Sequence, residues 1–206
     1  MGSGIAASPD PHGQHTIMTN LRYCPCCGTQ LETGEMAGRS RQYCPDPGCG
    51  HVFWNNPLPV VAAVVEHDGH VILAHNVAWP QGMFGLITGF LEAGETPEDG
   101  VLREVKEELD LDGAVHELIG VYPFPHKNQI IIAYHVQTGD DAITLNEELD
   151  QYKRLPPEQV WYWPSSTGWA MKAWLEARGH CPERVEFPES VRIRLAQGKD
   201  PIPGVD

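Results

Sequence analysis

The sequence predicts an α/β protein preceded by a small metal-stapled appendage, and three observations carry that expectation. Two apolar runs of strand length, residues 59–66 and 70–75, stand either side of an Asp68-Gly69 turn. A helix with one apolar face follows, with Val101, Leu102, Val105 and Leu109 at helical spacing. Five of the six cysteines crowd between positions 24 and 49.

The balance of the chain is that of an ordinary globular protein, with 41% hydrophobic and 20% charged residues over 206 positions. That length buries a good core and leaves room for one domain plus an appendage. No apolar run reaches the length of a membrane span and no signal-type core opens the chain, so a cytoplasmic protein without a membrane partner is expected. The net charge of −14 disfavours general adhesion to nucleic acid, whose affinity comes from phosphate neutralisation. A small anionic substrate stays compatible, because bound cations invert the local sign.

Residues 1–22 are rich in Gly, Ser, Pro and His and read as a disordered leader, with Met18 a candidate native start. His12 and His15 are assigned no function. Residues 23–54 form the appendage. Cys24 and Cys27 make one C-x2-C pair, and Cys44 and Cys49 make a second, looser one. Glycines and prolines around each pair favour turns that aim two thiolates at one ion. Four thiolates make a closed structural zinc site, so a zinc ribbon is expected, with Cys26 or His51 as alternative ligands. The ribbon is poor in lysine, which favours a packing or dimerisation role over nucleic-acid binding.

Residues 55–181 hold the main domain. A linker at 55–57 leads to the two strands and their hairpin, where His67 and His70 read as exposed turn residues rather than ligands. A short strand is expected over 84–88, then two more over 116–121 and 129–137. Tyr122 to Lys127, with two prolines, reads as a loop between them. The acidic stretch 139–152 reads as a loop and 160–163 as a short strand. Residues 166–178 form an amphipathic helix closed by Gly179, with Trp169 and Trp174 in the core. Cys181 is an isolated thiol. Residues 182–206 are a tail with one short helix at 188–197.

The chemistry concentrates in GFLEAGETPEDGVLREVKEELDL, running from Gly89 to Leu111. Thr96 can cap a helix, Pro97 suits its first position and Asp99 can close a capping box. Glu104, Glu107 and Glu108 then fall at i, i+3 and i+4 on one face, where like charges repel unless something neutralises them. Magnesium or manganese would, as hard cations that favour carboxylate oxygen. The stretch resembles the Nudix box, G-x5-E-x7-R-E-U-x-E-E-x-G-U with U aliphatic. It matches at Gly89, Glu95, Arg103, Glu104, Val105, Glu107, Glu108 and Leu111. The second glycine is Asp110, a residue type that also visits the left-handed region a helix end needs.

The resemblance implies an α/β/α sandwich around a mixed sheet. Ribbon, short linker and Nudix domain in that order are similar to the zinc-ribbon NADH pyrophosphatases and their ADP-ribose-cleaving relatives. Those carry SQPWPFPxS downstream of the box. Here Tyr122-Pro123-Phe124-Pro125 keeps the core while both serines and the glutamine are gone, which counts against a strict NADH preference. The implied reaction is metal-dependent hydrolysis of a nucleoside diphosphate linked to another group, such as ADP-ribose, NADH or NAD. Glu104, Glu107, Glu108 and the Gly89 carbonyl would hold magnesium or manganese, and Arg103 would orient the carboxylates. Glu95 and Glu148 are candidates for supporting or base roles. Tyr122 and Phe124 would stack a ring of the substrate, with Lys127 the nearby cation. A homodimer is expected. The rival readings are removal of a nucleotide cap from RNA, and a non-catalytic nucleotide sensor or interaction module on the same fold.

Overall fold

β4 (Leu58–His67) is the strand to which most of the main domain is tied. Its run from Val60 to Val65 is buried without a break, the pattern of a strand covered on both faces. This is a computed structural model; it describes residues 21–140 and 142–197. The expected leader before residue 21, with Met18, His12 and His15, lies outside the described residues, as does the tail beyond 197. The described chain divides into two compact units, one ending at Asn55 and the other beginning at Asn56.

In the first unit, β1 (Glu32–Met36), β2 (Arg39–Tyr43) and β3 (Val52–Phe53) form a small antiparallel sheet. Cys24 and Cys44 are buried with Leu31 as its core.

In the second unit, β4 turns at Asp68-Gly69 into the antiparallel β5 (His70–Asn76), with His67 opposite His70. Its first half instead pairs with β6 (Ile87–Phe90), setting Val61 opposite Gly89. Its other edge runs parallel to β8 (Gln129–Thr138), which pairs in turn with β7 (Gly113–Phe124). β9 (Leu149–Leu155) closes the far edge against β5, and the sheet order is β7-β8-β4-β5-β9 with β6 on β4. Strand alternation divides β4 between two cores. Val61, Ala63 and Val65 meet α1 (Pro97–Leu109) through Val101, Val105 and Leu109. Val60, Ala62 and Val64 meet α2 (Ser166–Ala177) through Ala170, Met171, Trp174 and Leu175. The expected α/β/α sandwich around a mixed sheet is therefore present. α3 (Glu189–Ala196) follows, anchored by the fully buried Val191. Among the described residues no helix is long and apolar enough to cross a membrane.

Five expectations need correction. The strand placed at 84–88 begins at Ile87, and Gly85 makes only a single bridge to Ala74. Tyr122, Pro123 and Phe124 are not loop but the end of β7, paired with Ile131, Ile130 and Gln129. β7 is an edge strand, where the missing N–H of a proline can face outward. The acidic loop ends at Leu149, where β9 starts; its LDQYKRL sequence lacks an apolar alternation because that edge is half exposed. Residues 160–163 make only the bridge Tyr162–Arg184, and Trp169 is 39% exposed, its ring 5.7 Å from Tyr162.

Gly168 fixes how α2 docks. A Cβ there would lie 1.8 Å from the Trp163 carbonyl oxygen. Gly168→Ala should therefore force backbone apart and destabilise the protein by about 1–3 kcal/mol, measured by denaturant unfolding.

Candidate active site

Helix α1 starts where the capping chemistry puts it. Thr96 accepts a hydrogen bond from the Asp99 N–H at 3.1 Å and donates its hydroxyl to Asp99 Oδ2 at 2.7 Å. It ends at Asp110 in the left-handed region, φ 57°, whose N–H donates to the Lys106 carbonyl. The aspartate in place of the box glycine thus takes up the backbone shape that position needs.

The next orphan carbonyls of α1 recruit the loop before β9. Thr144 donates its N–H to the Leu109 carbonyl and Asn146 to that of Glu108. Asn146 Oδ1 then accepts from the Glu148 N–H at 3.0 Å. This chain of bonds brings Glu148 to the helix, where its charge bears on both Glu104 and Glu108.

Arg103 organises the carboxylates. Nε and Nη2 donate to the two oxygens of Glu95 at 2.9 and 3.1 Å, Nη1 to Glu104 at 2.7 Å and to Glu107 at 3.1 Å. Nη2 also donates to the Phe90 carbonyl at 3.0 Å. The Arg103 hydrogen bonds, followed by one from the Glu92 N–H, hold Glu95 below the usual carboxylate range. Glu104 is instead pushed up by burial, which Arg103 only partly offsets. Its carboxyl fills the space over Gly89, where a Cβ would lie 1.9 Å from the carboxyl carbon. Any side chain there would displace the Glu104 carboxyl from its place beside Arg103.

Glu108 is buried to 8% exposure, and its carboxylate has no hydrogen bond or ion pair among the described residues. Burial first, then the charges of Glu104, Glu148 and Glu107, push it up to about 8. A buried carboxylate facing three others, with one arginine already shared, is a donor set short of positive charge. Hard divalent cations fit that deficit.

Of the other expected residues, Phe124 lines a cavity of ≈190 Å³ on the α2 side of the sheet, with Val60, Thr88, His126, Gln129 and Trp163. Thr88 and Gly89 are consecutive in β6, so one lines the cavity while the other backs the carboxylates. Tyr122 packs half-buried against the same core, and burial raises its hydroxyl. Lys127 ends the short 3₁₀ turn after β7 and is not among the lining residues. Thr88, His126 and Trp163 escaped the sequence reading, though strand alternation from Gly89 would have exposed Thr88.

In the first unit, the Sγ atoms of Cys24, Cys27, Cys44 and Cys49 lie within 4.8 Å of one another. Cys24–Cys49 and Cys27–Cys44 stand 3.6 and 3.4 Å apart, close to the roughly 3.8 Å edge of a tetrahedron of thiolates about 2.3 Å from a central ion. Hydrogen bonding with Thr29, side chain and then backbone, holds Cys27 below the usual thiol range, while burial pushes Cys44 up. Cys26 lies outside the four, 3.5 Å from His51 Nδ1.

Glu108 gives a pH test of the metal-free protein. Its folded pKa of about 8 exceeds the ordinary 4.5, so between those values the folded chain keeps a proton that the unfolded chain releases. Stability should therefore fall as pH rises across that window, and Glu108→Gln should flatten the slope. Thermal melts in a chelator across pH 4.5–8 measure both.

Comparison with known proteins agrees with this geometry. The chain is 37% identical over 124 residues to the NAD-capped RNA hydrolase NudC of Mycobacterium bovis, covering 59% of this chain and 38% of that one. It is 28% identical over 138 residues to the protein of that name from Stutzerimonas stutzeri, covering 66% and 48%. The chain thus spans less than half the length of these curated relatives. A NUDIX hydrolase crystal structure from Nitrosomonas europaea superposes with a TM-score of 0.66 at 22% identity, covering 81% of this chain and all of that one. The NUDIX domain family matches residues 56–177, more than half the chain and the whole carboxylate site, and the protein belongs to that family.

Proposed function

We propose that this protein is a divalent-metal-dependent pyrophosphohydrolase acting on a nucleoside diphosphate linked to a second group, ADP-ribose, NAD or NADH being the leading class. The observation that carries the reading is the convergence of Glu104, Glu107, Glu108 and Glu148, the first two held by one arginine and the carboxylate of Glu108 buried and unpaired. Water attacks one phosphorus of the pyrophosphate, the bridging P–O bond breaks, and a nucleoside monophosphate and a phosphorylated remainder leave. When bound, magnesium or manganese supplies Lewis-acid polarisation of the phosphoryl oxygens and a more acidic water.

The chain's own residues divide the remaining work. Glu104, Glu107, Glu108 and the Gly89 carbonyl hold the ions. Glu95 is fully engaged by Arg103 and the Glu92 N–H, so its role is to position that arginine. Glu148 is exposed, and its carboxylate has no hydrogen bond among the described residues, so it is the acid left to take the water's proton. Phe124 offers a face for a ring of the substrate in the cavity beside Thr88, and Tyr122 packs on the same core behind it. Zinc in the four-cysteine cluster staples the first unit, and the working form is a cytoplasmic homodimer.

A second reading has a specific support: the curated relatives bear the name NAD-capped RNA hydrolase. The reaction would be the same on a longer substrate. The net charge of −14 works against holding the RNA body.

Three tests follow from these roles. Incubation with ADP-ribose, NAD, NADH, FAD and an RNA carrying a 5′ NAD cap, with magnesium or manganese, should give nucleoside monophosphate by mass spectrometry. Silence on every compound would remove the proposal, and a large advantage for the capped RNA would move it to the second reading. Glu107→Gln and Glu108→Gln should each cut kcat on the order of 10²–10³-fold, as for losing one preorganised charge-stabilising group. Full turnover in both would relocate the site. One zinc per chain should co-purify and withstand a mild chelation that abolishes turnover; elemental analysis free of zinc in active protein would withdraw the staple.

A further inference from the structure

The cavity beside Thr88 does not stand alone. A second recess of ≈180 Å³ adjoins it, walled by Trp79, Phe84 and Trp161. Four residues face both: Met83, Trp163, Thr167 and Phe187. Each recess alone falls below the roughly 300–1,000 Å³ that encloses a whole drug-sized ligand, so each suits one ring system; joined, they reach that range.

Two of the four dividing residues are fixed by the fold. Trp163 donates its indole N–H to Thr167 at 3.2 Å, and its backbone is pressed against Gly168. Phe187 comes from elsewhere. It lies ten residues past the matched domain, on the segment that joins the Tyr162–Arg184 bridge to α3. That segment is pinned on both sides, by Tyr162 N–H to the Glu183 carbonyl and Val185 N–H to the Tyr162 carbonyl before it, and by the buried Val191 after it. Phe187 is thus held, half-buried, between two apolar recesses as a ring that could be shortened without breaking a hydrogen bond.

We propose that Phe187 is a specificity-determining residue: it partitions one aromatic-walled recess so that the part beside Thr88 takes a single nucleobase and excludes larger fused rings. The inference rests on the cavity beside Thr88 being the nucleoside site of the proposed hydrolase. Its occupant is a flat, uncharged ring. The second recess offers Trp and Phe faces, with one amide from Gln81 and one carboxylate from Glu186, and no cation among its lining residues to receive phosphate.

The test uses the full chain and needs no turnover. Trp79, Trp161 and Trp163 report on the recess, so quenching of tryptophan fluorescence can be titrated with adenosine and with riboflavin in metal-free buffer. Wild-type protein should bind adenosine at least tenfold more tightly than riboflavin. Phe187→Ala should shift that ratio toward riboflavin by tenfold or more, with Phe187→Leu between. Circular dichroism melts establish that each variant is folded. Should Phe187→Ala fail to fold, Phe187→Leu and Phe187→Trp must still move the ratio in opposite directions. An unchanged ratio across folded variants, or no quenching by either compound, overturns the inference. In turnover assays the ratio of kcat/KM for FAD over ADP-ribose should rise in Phe187→Ala, with the change in KM, because ring binding acts alike on ground and transition states. A protein that quenches as described yet hydrolyses nothing loses the proposed function and keeps the partition.

Discussion

One guanidinium governs the site. Arg103 reaches Glu95 through two parallel hydrogen bonds, and Glu104, Glu107 and the Phe90 carbonyl through three more. Those partners come from three places: the loop before α1, α1 itself and the end of β6. Only a planar fork with five donors can serve them at once; a lysine would offer one point of charge. The packing of Val101, Val105 and Leu109 onto β4 serves the same end, because it delivers the arginine and two of its acids to β6 at a fixed height.

That arrangement runs against the helix's own interest. Glu104, Glu107 and Glu108 on successive turns repel, and two of them are buried. The chain offsets this at the helix ends, with Thr96 and Asp99 satisfying each other at the start and Lys106 pairing with Asp110 at 2.9 Å near the finish. The middle remains unsettled without an ion. Sites that bind or react are where proteins keep such local conflicts.

Much of this was legible beforehand. The fully apolar β4, the Asp68-Gly69 turn, the cap at Thr96 and the acidic spacing each carry their signal within a few residues, and the fold class and carboxylate set followed from them. The cysteine pairs did the same for the first unit. What could not be read depended on partners far along the chain. β9 is a polar edge whose identity comes from pairing with β5, and Pro123 sits in a strand only because β7 is the sheet's rim. Phe187 lies in a stretch with no periodicity at all, and its place between two recesses is visible only once α2 and α3 are set. Trp169 read as core from helical spacing, yet α2 buries Trp174 and leaves Trp169 outward.

The divided loyalty of β4 has a consequence for biosynthesis. Its hairpin partner β5 emerges immediately, whereas its parallel partner β8 pairs Gln129 with Leu58 and is translated much later. At synthesis rates of about 5–20 residues per second, that interval is about 4–14 s. Throughout it, Val60 to Val65 has a bare edge and no second layer on the α2 face. The most apolar strand of the protein therefore waits on the ribosome with one edge unpaired, which gives a nascent-chain chaperone a reason to hold it.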